Sequence, residues 1–210
     1  VWFKNDLRVG DHPALDAAAN RGEIVACYCI SIPQWRSHDM EDWRIAFQLR
    51  ALQALAADLQ KLNIPLRIVQ ADWFSDVPRK LADLCAEWHV DALDFIDEYP
   101  LNERRRDDAV DASLTRTGVR VTRHVADVLV EPGQLKNGSG GPYMVFTPLY
   151  KKWQAPVDRL IRHVCPRPSA QQSPGLTSDI VPDELDGISA ATGQTLWPAG
   201  EREAAALLEV

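Results

Sequence analysis

The sequence predicts a doubly wound α/β fold: a five-stranded parallel sheet in a three-layer α/β/α arrangement, followed by an irregular connector. Three observations carry this reading. Short apolar runs alternate along the chain with longer stretches whose apolar residues recur every three or four positions. The clearest short run, Ile24 to Ile30, is continuously apolar rather than alternating, as in a strand covered on both faces. The longest periodic stretch contains neither Gly nor Pro, so nothing interrupts a helix there.

Val1-Trp2-Phe3 reads as the end of a first strand whose beginning is missing. A polar loop follows, and then a short Ala-rich helix from Pro13 to Asn20, because Pro suits a first helical turn. After the strand at Ile24 to Ile30, a long helix is marked by Trp43, Phe47, Ala51, Leu55, Leu59 and Leu62. Leu66 to Val69 is the third strand. Ser75 offers an N-cap to a helix with Val77, Leu81, Leu84 and Trp88 on one stripe. Ala92 to Ile96 is the fourth strand, Glu103 to Thr115 a polar helix, and Val119, Val121 and Val125 mark a fifth strand with period two.

Beyond that sheet the pattern changes. Asn137-Gly138-Ser139-Gly140-Gly141 is a turn signal between Val128–Val130 and Tyr143–Phe146, which predicts a small hairpin. Pro148 to His163 predicts another helix. From Pro166 to Gly200 five Pro and four Gly stand among many Ser and Thr, a composition that predicts no contribution to a core. Glu201 to Val210 reads as the opening of a new helix. The expected division is therefore an α/β domain over 1–163, a connector over 164–200 and the start of a further helical domain at 201–210.

Composition narrows the function. The 210 residues are 46% hydrophobic and 25% charged, as in a soluble protein, and the net charge of −7 argues against this surface gripping nucleic acid. The longest apolar run is far shorter than the roughly 20 residues of a membrane-spanning helix. No signal-peptide pattern is visible, and the four cysteines lack framework spacing. A cytoplasmic location and a monomer are the expectation. Cys27 and Cys29 share one face of a strand and lack the partners of a zinc site, so they read as core and no metal is expected.

In doubly wound sheets ligands bind outside the carboxyl ends of the strands, where strand order reverses. The loops after the first and fourth strands are therefore the candidate site. The first loop has neither a dinucleotide fingerprint nor a P-loop, which counts against a stand-alone nucleotide-binding domain. Arg104-Arg105-Arg106 lies in an acidic neighbourhood, so it reads as a solvated helix face. Asn102-Glu103 follows the fourth strand. There a carboxylate can accept two hydrogen bonds from the adjacent N–H donors of a pterin or guanine edge, while the amide both donates and accepts. The dipole of a helix start favours Glu in any case, and His38 before the long helix is also readable as an ordinary loop residue.

Four strings together resemble the N-terminal domain of the DNA photolyase/cryptochrome family. They are Val1-Trp2-Phe3-Lys4-Asn5-Asp6-Leu7-Arg8-Val9, His12-Pro13-Ala14-Leu15, Tyr99-Pro100-Leu101-Asn102-Glu103-Arg104-Arg105-Arg106-Asp107 and Gly141-Pro142-Tyr143-Met144-Val145-Phe146-Thr147-Pro148-Leu149, with Trp153 after the last. The departures are Lys4, where the family usually has Arg, and His12, where Asn is common. Within the family the chain is most similar to bacterial photolyases that repair cyclobutane pyrimidine dimers with a methenyltetrahydrofolate antenna. That resemblance implies folate contacts at His38, Asn102 and Glu103. It also implies FAD and damaged-DNA binding in a helical domain beyond this chain, so no residue here is expected to be catalytic. Relatives with a deazaflavin or FMN antenna hold it near the first loop, where Lys4, Asp6 and Arg8 align, though Asp6 and Arg8 also read as a loop-fixing ion pair. A cryptochrome light receptor is the alternative within the family. The seven Trp read as core and interface residues.

Overall fold

Each apolar run that the sequence marks as a strand pairs in parallel with a neighbour. The computed structural model describes residues 1–160, 164–193, 196 and 198–209. In it β1 (Trp2–Phe3), α1 (Pro13–Ala19) and β2 (Ala26–Ile30) come first, then α2 (Ile32–Ser37) and α3 (Asp42–Lys61). β3 (Leu66–Gln70), α4 (Val77–Glu87), β4 (Ala92–Ile96), α5 (Leu101–Arg116) and β5 (Arg120–His124) complete the sheet region. α6 (Phe146–Leu160), β6 (Glu184–Leu185), β7 (Ile188–Ser189) and α7 (Glu201–Leu208) follow. The C-terminal end anticipated for the helix at His163 lies outside the described residues.

The five strands form two parallel ladders, β3-β2-β1 and β4-β5. Trp2 stands opposite Cys27, Tyr28 opposite Ile68, and Asp94 opposite Thr122. β1 lies beside β4, where the Trp2 and Phe95 rings meet edge-on at 5.2 Å, so the order in which strands are laid down reverses between these two. With only two residues, β1 joins β4 through side chains rather than through a shared ladder. One apolar layer gathers Phe3, Leu15, Tyr28, Ile45, Leu52 and Leu59, and the other Trp2, Val77, Leu81, Phe95, Val110 and Leu114. Cys27 is buried in the second layer and Cys29 packs against it, as their spacing predicts. Burial pushes the Cys27 thiol up to about 12.

Several local expectations are corrected. α3 buries Ile45, Leu49, Leu52, Leu55 and Leu59, whereas Trp43 and Phe47 are largely exposed, so the true stripe is rotated from the one read off the sequence. α2 was not anticipated, because a six-residue helix is too short to show a period. The residue before α4 is Asp76 rather than Ser75, and its carboxylate accepts the Trp73 amide instead of capping the helix. No hairpin forms around Gly138–Gly141. Asn137 holds that turn by accepting from the Ser139 and Gly141 amides, and the flanking residues have no strand partner.

The Pro- and Gly-rich connector does contribute to the core, through Val181, Ile188 and Ala190. It also lies along β3: Asp179 donates its amide to the Leu66 carbonyl, and its carboxylate accepts the Ile68 amide at 2.8 Å. An open sheet edge is thereby covered, which removes a template for association with another chain. Gly193 takes a φ of +68°, and a Cβ there would stand 2.6 Å from the Trp43 ring. Trp43 is thus a seat for the connector. Of the other tryptophans, Trp2 and Trp35 are core residues, while Trp197 lies outside the described residues. No helix is long and apolar enough to cross a membrane among the described residues.

Candidate functional site

The chain leaves β1 and β4 side by side, and their next residues build a buried charged cluster. Lys4 donates to Asp107 Oδ2 at 2.6 Å, while Arg106 donates to Glu98 Oε2 at 2.5 Å and to Asp107 Oδ1 at 2.8 Å. Asn5 donates to the other Glu98 oxygen. All four charged side chains are almost fully buried, and two cations face two anions. Lys4 also lies over the Trp2 and Phe95 rings, and Arg106 over those of Trp2 and Phe74. Burial works against the Arg106 charge, but Asp107 and Glu98 outweigh it and raise its pKa.

This cluster corrects the reading of Arg104–Arg106 as one solvated face. Arg104 and Arg105 are exposed, but Arg106 points into the sheet edge, because one turn of α5 carries it there together with Asp107. Composition could not separate the three, since which of them faces Glu98 depends on how α5 docks at the sheet edge.

Asp6 and Arg8 form no ion pair. Asp6 instead meets His12 Nε2 at 2.8 Å, and Arg8 donates to the Asp11 carbonyl. His12 Nδ1 accepts the Leu15 amide at 3.0 Å and so caps α1, which leaves Nε2 as the nitrogen that carries the proton toward Asp6. An Asn side chain can do the same capping, which explains why His is accommodated at this position. Burial raises the Asp6 pKa, but His12 and the Lys4 amide more than offset it, so the carboxyl is held below its usual range.

Above the cluster is a narrow cavity of about 50 Å³, lined by residues that include Tyr28, Ser31, Trp35, Gln48, Glu98 and Glu103. Ser31 Oγ and Gln48 Oε1 are buried without a hydrogen-bond partner. His38, Asn102 and Glu103 stand at the rim of the same edge. His38 ends α2, while Asn102 and Glu103 occupy the first turn of α5. The structure brings His38 and Asn102 to a long 3.4 Å contact between Nε2 and Nδ2. Glu103 is half-buried at the cavity, and its carboxylate makes no hydrogen bond or ion pair among the described residues. A carboxylate left with both oxygens free beside an amide and an imidazole is a donor-reading surface for a flat heterocycle.

Sequence reasoning missed Glu98, Asp107 and Trp35 as builders of this edge. Their available signal was position, since Glu98 and Asp107 flank the fourth-strand loop. Among the described residues, no group of three or more His, Cys, Asp or Glu is arranged to hold a metal ion.

A family model described as DNA photolyase matches residues 1–170. The deoxyribodipyrimidine photo-lyase of Salmonella typhimurium is 30% identical, covering 99% of this chain and 44% of the relative. That of Neurospora crassa is also 30% identical, covering 99% and 37%. The crystal structure of a class III photolyase from Agrobacterium tumefaciens superimposes with a TM-score of 0.76 at 25% identity, covering 99% of this chain and 43% of that one. The chain thus spans less than half the length of these relatives. With a parallel sheet whose strand-end loops carry the quoted motifs, and with that match over residues 1–170, the chain belongs to the DNA photolyase family.

Proposed function

We propose that this chain is the antenna-chromophore domain of a light-dependent photolyase. In this reading His38, Asn102 and Glu103 hold the pterin of a methenyltetrahydrofolate, and the full-length protein repairs cyclobutane pyrimidine dimers. The observation that carries the reading is Glu103, a half-buried carboxylate at the switch-point edge with no partner of its own. Glu103 would accept from ring N–H and amine donors, Asn102 would fix the ring's orientation, and His38 would close the outer side. When bound, such an antenna absorbs near-UV or blue light and passes excitation to a reduced flavin.

A deazaflavin or FMN antenna in the first loop has less support. Lys4 and Asp6 are already paired with Asp107 and His12, so of the three aligned residues only Arg8 faces the open cleft of about 880 Å³ that the first loop lines. We read residues 1–163 as the α/β domain, 164–200 as the connector and 201–210 as the opening of a helical, FAD-binding domain that also takes the damaged DNA. No residue of this chain is assigned to the bond-breaking step. A monomeric, cytoplasmic protein completes the proposal.

The test is the absorption spectrum and repair activity of the full-length protein. A flavin band with a near-UV folate band, together with light-dependent splitting of dimers, is the expected result. A deazaflavin-like band would overturn the folate assignment, and a flavin-loaded protein that splits no dimers would overturn the repair reading in favour of a light receptor.

A further inference from the structure

We infer that Glu201 is a positioning residue, which clamps the first loop and thereby sets how the chain beyond α7 sits against the antenna edge. The two oxygens of Glu201 accept two successive backbone amides, Oε2 from Val9 at 2.8 Å and Oε1 from Gly10 at 3.0 Å. Such charge-assisted bonds are among the stronger ones available to a surface carboxylate. Gly10 is required by this arrangement, because a Cβ there would stand 2.5 Å from Glu201 Oε1. Gly200 is required too. It turns the chain into α7 at a φ of +118°, and a Cβ would stand 2.9 Å from that of Ala54 on α3.

Beside a small contact with α3, little else among the described residues seats α7 on the domain. It has no buried residue, and Leu207 and Leu208 are mostly exposed. The first loop holds the connector at its other end as well: the Asp11 amide donates to the Cys165 carbonyl at 2.9 Å, and the Cys165 amide donates to Asp11 Oδ1 at 3.0 Å. Inward, the same loop is tied to the strand edge through Asn5–Glu98 and braced within itself by Asp6–His12. One loop therefore joins the candidate antenna edge, the start of the connector and the head of α7. Any rotation of α7 must break the Glu201 bonds or drag the loop with it.

This inference rests on the antenna-domain reading only for its functional consequence, whereas the clamp stands on geometry. Hydrogen exchange of full-length protein, read on peptides covering residues 7–11, tests the clamp itself. Protection is expected in the wild type, with at least about tenfold faster exchange in Glu201→Ala and partial recovery in Glu201→Gln, which keeps one acceptor. Gly10→Ala should speed exchange in residues 201–208 instead, so the inference does not depend on one variant folding. The second readout is dimer splitting driven through the antenna band divided by splitting driven through the flavin band. That ratio should fall about twofold or more in Glu201→Ala with both chromophores retained. Unchanged exchange would overturn the clamp. Faster exchange with an unchanged ratio would overturn its positioning role. A wild type without any antenna band would instead defeat the antenna reading, while the exchange result would still decide the clamp.

Discussion

The Asp107 carboxylate accepts the Lys4 ammonium at 2.6 Å across 103 residues of sequence, and its other oxygen accepts Arg106. Helix α5 is thus fastened to the end of β1 by a charge that has no exposure to water. Asp107→Asn would leave two buried cations sharing one carboxylate, that of Glu98. Breaking a buried pair from one side costs about 3–5 kcal/mol, so urea unfolding of Asp107→Asn should show a loss of that order. A loss below about 1 kcal/mol, as for a surface pair, would contradict the burial described.

Glu103→Gln replaces one acceptor oxygen by a donor at the position where ring donors are expected. Folate retained by the purified full-length protein, measured from its near-UV band, should fall about tenfold at limiting folate, because a charge-assisted bond is exchanged for a mismatch. Flavin content should not change. Since His38 touches Asn102 only at 3.4 Å, His38→Ala should have the smaller effect.

Asp94 gives the domain an acid-sensitive joint. It accepts His124 Nε2 at 2.9 Å and pairs with Arg21 of the turn after α1. Burial raises its pKa, but His124 and Arg21 outweigh this and hold it below its ordinary 3.8. The stability from this depressed carboxyl is complete above its unfolded value and is lost as pH falls through the lower folded value. Unfolding free energy should therefore drop with acidification below about pH 4, and Asp94→Asn should flatten that slope while lowering stability at neutral pH. Denaturant titrations at several pH values read both.

His12 does two tasks that substitutions can separate. His12→Asn keeps an acceptor for the Leu15 amide but loses the ring nitrogen that meets Asp6, whereas His12→Ala removes both contacts. Cap loss alone costs about 1 kcal/mol, and the unpaired buried Asp6 adds to it. The expected order of thermal stability is His12, then Asn, then Ala, checked by melting temperature. Equal stability of the Asn and Ala variants would remove the capping role.

Much of the fold was legible because burial writes a period into the sequence. The continuous apolar run at Ile24–Ile30 contains β2, and the Gly- and Pro-free stretch after Asp42 contains α3. Short elements were not legible. α2 has too few residues for a period, and the expected hairpin at Gly138–Gly141 lacked partners that only the surrounding chain could provide. At the site, the residue types of Asn102 and Glu103 pointed to a heterocycle edge, whereas the cluster beneath them went unseen.

By itself the sequence determined the order and kind of the main elements, the edge of the sheet that carries the site, and the family motifs. Tertiary structure alone decided which charges are buried. Arg106 and its neighbour Arg105 are the same residue type one position apart, and only the helix's docking against β1 puts one beside Glu98 and leaves the other in water. It likewise decided that a Pro- and Gly-rich connector covers the β3 edge, and that Glu201 reaches Val9 and Gly10. These contacts join segments more than 100 residues apart, and a local pattern carries no record of a partner at that distance.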